Sequence, residues 1–329
     1  MNHLKSKILI SALFSGLALT TYADINVVAS VKPVHSLVSG VMEGAGKPDL
    51  IVQGSASPHT YSLKPSQAKQ LEDADLVFWM GHELESFLEK PLEAIATNAH
   101  VVELIDSSSL KKIKMREGGM FDAHAHDEHE GHDEHDEHEG HDDHDEHEGH
   151  DDHGHGEFDV HVWLDPENAK VLVNEIKLAL IEEDPSNASI YEANSKKINF
   201  KLDQLIDEVS AKLESEKGKG YVVFHDAYQY FEERFGMSAV GSITVSPEVV
   251  PGANRIRELK EKIVDLNATC VFSEPQFEPK LVSTVIEGTQ ANTGVLDPLG
   301  ASIKDGPELY FTLIRNMANS LQDCLSKKS

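Results

Sequence analysis

The chain is short of cysteine, tryptophan and positive charge, and each shortage excludes something. It carries 2 cysteines and 2 tryptophans in 329 residues, and 29 Lys and Arg against 57 Asp and Glu. The formal net charge of −28 argues against nucleic acid and anionic membrane surfaces as partners and permits cationic ligands. Cys270 and Cys324 stand too far apart in sequence for a zinc knuckle, so metal chemistry must come from other side chains. The glycines form neither GxGxxG nor GxxxxGK, which removes both nucleotide-binding loops. There is no GxSxG elbow and no HExxH helix. What is present is 40% hydrophobic residues, enough for a real core in one large or two medium domains, and 19 histidines.

Residues 1–23 read as a signal peptide. Lys5 and Lys7 supply the positive region, Ile8–Leu19 an apolar run, and Thr21-Tyr22-Ala23 a small-x-Ala cleavage site. The run is short for a membrane span, which needs about 20 residues. The expected product begins near Asp24, soluble in the periplasm, and no cysteine follows the run to carry a lipid. In an oxidising compartment Cys270 and Cys324 suggest one disulfide, with two separate buried thiols as the alternative. Closing a loop of about 55 residues would add roughly 4 kcal/mol in the chain-entropy model.

Charge and histidine are concentrated in one place. Residues 122–157 hold 17 of the 57 carboxylates and 12 of the 19 histidines, with no Lys or Arg. A histidine stands at every third position from His126 to His153. The twelve are His124, His126, His129, His132, His135, His138, His141, His144, His147, His150, His153 and His155. With no apolar residue between Ala125 and Phe158 this tract cannot form a core, and it reads as a disordered loop. Imidazoles and carboxylates together should bind divalent cations weakly and interchangeably, as a metal collector or level sensor beside a tighter site.

Outside the tract, strands alternate with helices, which predicts an α/β fold with mostly parallel sheets. Strands are expected at 25–31, 49–52, 75–80, 101–104, 221–224, 270–272 and 294–296, with helices between them. Asp165-Pro166 opens a helix as N-cap and first residue, and Asp184-Pro185 ends it. A second apolar pattern follows through Ile190, Ala193, Ile198, Leu202, Leu205, Ile206, Val209 and Leu213. The expected architecture is two α/β lobes joined by one long helix. The first lobe is 24–185 with the tract inside it, the connecting helix 186–216 and the second lobe 217–329.

Seven histidines lie outside the tract, and His3 leaves with the export segment. His59 follows a strand, His161 precedes a capped helix, and His225 ends the buried run Val222-Val223-Phe224. Parallel α/β sheets place ligands at such strand exits, which marks these three as candidate metal ligands. His35, His82 and His100 read as structural.

Six stretches resemble the zinc-uptake solute-binding proteins of ABC transporters, the ZnuA type. They are Ser57-Pro58-His59-Thr60-Tyr61-Ser62-Leu63, Ala74-Asp75-Leu76-Val77, His161-Val162-Trp163-Leu164, Phe224-His225-Asp226-Ala227-Tyr228, Ser273-Glu274-Pro275-Gln276-Phe277 and Leu296-Asp297-Pro298-Leu299-Gly300. The resemblance covers essentially all of the chain after the export segment. It implies two lobes with a metal in the cleft, a non-enzymatic role, and Zn²⁺ as cargo for an inner-membrane ABC permease. A monomeric receptor with no nucleic-acid partner is expected. By the same resemblance His59, His161 and His225 are zinc ligands and Asp297 matches the carboxylate that closes the site in related receptors, so the fourth ligand is Asp297 or water. Some zinc members carry Glu before the first histidine, where this chain has Pro58. Glu274 would orient a ligand from behind, and Cys270–Cys324 would match a disulfide of the subgroup. A zinc buffer without a transporter, or a zinc hydrolase, is the alternative.

Overall fold

The computed structural model describes residues 25–116, 157–244, 251–265, 268–277 and 280–327. The expected export segment and all twelve tract histidines lie outside the described residues.

Two four-stranded parallel sheets form the frame. The first contains β1 (Val27–Ala29), β2 (Asp49–Leu50), β3 (Leu76–Trp79) and β4 (His100–Glu103), in the order β2-β1-β3-β4. The second contains β5 (Tyr221–Val223), β6 (Ala239–Ser242), β7 (Cys270–Ser273) and β8 (Asn292–Val295), in the order β6-β5-β7-β8. The central strands are continuous apolar runs because helices cover both faces of each sheet. Val28 pairs with Asp49 on one side and Val77 on the other, and Val77 with Val101.

Nine helices pack around the sheets among the described residues. They are α1 (Lys32–Val41), α2 (Pro65–Glu72), α3 (Ser86–Ala94), α4 (Pro166–Glu183), α5 (Ala188–Leu213), α6 (Gln229–Phe235), α7 (Ala253–Asp265), α8 (Lys280–Ile286) and α9 (Leu309–Leu325). The start of α4 is chemical: Asp165 accepts from the Glu167 amide and Pro166 occupies the first helical position. The connecting helix α5 has 26 residues, about 39 Å of helix, flanked by 3₁₀ turns at Pro185–Asn187 and Glu214–Glu216. Its buried stripe is Tyr191, Ser195, Ile198, Leu202, Leu205, Val209 and Leu213. Tyr191 and Ser195 stand in that stripe where the apolar pattern pointed to Ile190 and Ala193, and Ile206 lies beside it, because the buried face recurs in steps of three or four residues. Gly40 lets α1 approach: a Cβ there would meet Ile198 Cδ1 at 2.9 Å.

Two elements escaped the sequence reading. β6 is four residues of small and mixed character, and α7 carries seven charged residues with only Leu259 and Ile263 buried.

One large core runs from the first sheet through α1, α4 and α5 to α9 and the inner face of the second sheet. A smaller core lies on the outer face of the second sheet, under α7 and α8. The run Tyr221-Val222-Val223-Phe224 is split between them. Tyr221 and Val223 face the large core, Val222 and Phe224 the small one, as the two-residue period of a strand requires. Cys270 at the start of β7 is disulfide-bonded to Cys324 near the end of α9, with a Cα–Cα distance of 6.1 Å. Polar bolts join the lobes. Lys32 Nζ donates to the carbonyls of Ala301 and Ile303, and Arg234 grips the Asp165 carboxylate through two nitrogens. No described helix is long and apolar enough to cross a membrane.

Candidate metal centre

Three chain segments bring one imidazole each to a common point. His59 sits in a 3₁₀ turn, Pro58–Thr60, in the loop that leaves β2, where Pro58 pre-sets the first turn position. His161 caps a second 3₁₀ turn, Val162–Leu164, which runs into α4. His225 stands two residues beyond the end of β5. One ring nitrogen from each lies within 4.8 Å of the other two. The ring centroids are 5.6 Å apart for His59–His161, 5.8 Å for His59–His225 and 5.3 Å for His161–His225. His161 and His225 are buried, and His59 keeps partial exposure at the mouth.

Two of the rings are oriented from behind by carboxylates. Asp159 Oδ1 lies 2.7 Å from His161 Nδ1 and also accepts from the His161 amide. Glu274 Oε1 lies 2.8 Å from His225 Nδ1 and also accepts from the His225 amide. A carboxylate can only accept, so each Nδ1 carries the proton and each Nε2 keeps its lone pair for a cation. His225 Nε2 is buried with no hydrogen-bond partner. Asp159 is itself held, by Gln229 Nε2 at 3.2 Å. Tyr230 Oη donates to the Asp159 carbonyl at 2.7 Å.

The electrostatics differ ring by ring. Packing of its ring into the protein, and then the neighbouring imidazoles, hold His59 well below the usual histidine range. Burial opposes charge on His225, but the adjacent Glu274 carboxylate outweighs it and raises its pKa. Aromatic walls close the sides: Trp163 lies edge-on to His161, and Phe277 edge-on to His225. Trp163 Nε1 donates to the Pro298 carbonyl, which fixes the wall to the loop after β8. The cavity left between the rings has a volume of about 10 Å³. A single water needs roughly 10–15 Å³, so the space between the rings is that of one ion or one water-sized species.

Asp297 is placed differently from the three histidines. Its Oδ1 accepts from Gln276 Nε2 and from the amides of Leu299 and Gly300, and its Oδ2 from the Ala301 amide. The carboxylate caps its own turn and is not part of the three-imidazole cluster. Asp159 was not singled out in the sequence. The signal was there, in the Asp-Val-His spacing that lets a carboxylate fold back on the ring two residues later. The other described histidines are held elsewhere: His35 Nε2 at the Pro48 carbonyl, His82 Nδ1 beside Glu83 and His100 Nδ1 at Glu183.

Two lobes, a bridging helix and a buried three-imidazole centre between them define a two-lobed α/β receptor with a candidate metal site. Comparison with known proteins narrows the class. The family described as zinc-uptake complex component A, periplasmic (ZnuA), matches residues 27–324, and the chain belongs to that family. It is 55% identical to the high-affinity zinc uptake system protein ZnuA of Brucella suis, over 99% of this chain and 100% of that one. It is 37% identical to the protein of the same description from Yersinia pestis, over 92% of each. A zinc-bound ZnuA deletion mutant of known structure superposes with a TM-score of 0.73 at 21% identity, covering 93% of this chain and 100% of the other.

Proposed function

We propose that this chain is a periplasmic zinc-binding receptor that captures Zn²⁺ on His59, His161 and His225 and delivers it to an inner-membrane ABC permease. The observation that carries this reading is the convergence of three ring nitrogens within 4.8 Å at the junction of the lobes. Three neutral imidazoles and one oxygen suit tetrahedral zinc, whereas manganese favours more oxygen ligands. The capping bonds of Asp297 point to water as the fourth ligand.

Three histidines and a water also serve zinc hydratases. The family of this chain consists of substrate-binding receptors, and the cavity has no room for an ester beside the metal. The transport reading divides the chain into a first lobe at 24–185, a connecting helix at 186–216 and a second lobe at 217–329. It has the receptor act as a single chain. The bolts between α1, α4, α6 and the 301–303 loop oppose wide hinge opening, so release proceeds by small shifts of the site loops. The histidine-acid tract raises local zinc beside the tight site.

Calorimetric zinc titration of the full chain tests the assignment. A structural zinc site is worth roughly 10–16 kcal/mol over four ligands, so each histidine-to-alanine change should weaken the tight site about 100- to 1,000-fold. The weak equivalents of the tract should persist. Unchanged tight binding in any of the three variants contradicts the proposal.

A further inference from the structure

A second group of ligand-type side chains lies on the first lobe, at the same carboxyl ends of the strands that carry the main site. Glu103 is the last residue of β4, and Trp79, the last of β3, is its register partner. Two residues beyond Trp79 the chain turns at Gly81 with φ +146°. That φ, and a Cβ that would stand 2.8 Å from Ile105 Cγ2, favour glycine here, and the turn lies against the Glu103 carboxylate. The turn delivers His82 and Glu83. His82 Nδ1 lies 3.3 Å from Glu83 Oε2 and 3.8 Å from Glu103 Oε1, and one ligand atom from each of the three lies within 4.8 Å of the others. Tetrahedral zinc with ligands at about 2.0–2.2 Å spaces its donor atoms by roughly 3.5 Å, so small rotamer changes close the group on an ion.

Two further observations point to a ligand. Trp79 is 6% exposed, its buried indole N–H has no hydrogen-bond partner, and its side chain lines, with His82 and Glu103, a cavity of about 360 Å³. That cavity is also lined by Glu89 and Glu93. Among the described residues the ion pairs of Glu83 and Glu103 are both with His82.

We propose that His82, Glu83 and Glu103 form a second divalent-cation site, with one imidazole and two carboxylates as ligands, beside the cavity whose wall the Trp79 ring forms. The ligand set is that of an open zinc site, three protein ligands with positions left for solvent. Leu84, two residues after His82, lines the three-histidine cavity, so the two sites share one loop. The site goes beyond the receptor function and does not depend on it.

Equilibrium dialysis of the full chain against zinc tests the site, because the tract is present in every sample and cancels in the difference. His82→Ala and Glu103→Gln should each bind one zinc fewer than the unaltered chain. His59→Ala should lose a separate equivalent, and the His59→Ala/His82→Ala chain both. Cobalt quenching of Trp79 fluorescence, read in Trp163→Phe so that Trp79 is the sole tryptophan, should fall several-fold when His82→Ala is added. His82 is exposed, so the dialysis readout does not hinge on folding, and the quenching is compared within the one Trp163→Phe background. Retention of the full stoichiometry, or of the full quenching, in His82→Ala overturns the site while leaving the three-histidine reading untouched.

Discussion

Counted from its own first strand, each sheet has the order 2-1-3-4, yet the two lobes use that frame differently. The first lobe sends out His59 after its second strand, and the second lobe sends out His225 after its first. Each lobe also has a buried acid beyond its third strand. In the second lobe Glu274 directly follows β7 and orients His225. In the first lobe Glu85 comes six residues after β3 and accepts from the amides of Met80 and Gly81, its own loop. The cores differ as well. The first lobe shares its core with α5 and α9, whereas the second keeps a small private core under α7 and α8. The frame supplies strand ends pointing into the cleft, and the local hydrogen bonds decide which of those ends becomes a ligand, a support or a cap.

That contrast can be broken at three points. The largest effect is expected in the second lobe, whose sheet is pinned to α9 by Cys270–Cys324 across a separation of 54 residues. Replacing both cysteines by alanine should cost about 4 kcal/mol in denaturant unfolding. A loss below about 1 kcal/mol would mean that the packing of α9 alone holds the second sheet.

The first lobe is probed by pH through Glu85, fully buried and with a pKa raised to about 7 by burial. An unfolded glutamate titrates near 4.3, so the folded chain keeps a proton that the unfolded chain releases between those values. Stability should therefore fall as pH rises from about 4.3 to 7, by between about 3 and 4 kcal/mol, and then level off. Glu85→Gln should remove this fall in thermal unfolding between pH 4.5 and 8. An unaltered pH profile would place the titrating group elsewhere.

The smallest effects compare the two supporting carboxylates. Asp159→Asn and Glu274→Gln should each weaken zinc binding roughly 10- to 100-fold, because an amide no longer fixes Nδ1–H and the tautomer of the ring. Equal losses would show that both lobes hold their ligand by the same device. A loss in only one would make the site asymmetric in energy as well as in topology.

The sequence reading and the structure part company where orientation matters. Alternating strands and helices, the Asp165-Pro166 helix start and the long α5 are legible because they rest on period and local capping. The three histidines stand out because strand exits are a property of chain order. What was not legible depends on where a side chain turns. Asp297 lies at the expected strand exit, but whether its carboxylate faces the cleft or its own amides is settled by the turn Pro298–Ala301. Asp159 acts only because its carboxylate folds back onto His161. β6 and α7 were missed because small residues and dense charge hide the two-fold and 3.6-fold periods.

The central claim is tested most directly by an anomalous difference map at the zinc edge from crystals of the zinc-loaded full chain. The account predicts the strongest peak between the lobes, about 2.0–2.1 Å from one ring nitrogen each of His59, His161 and His225, with a water as fourth ligand. A strongest peak that touches fewer than three of these rings would contradict it.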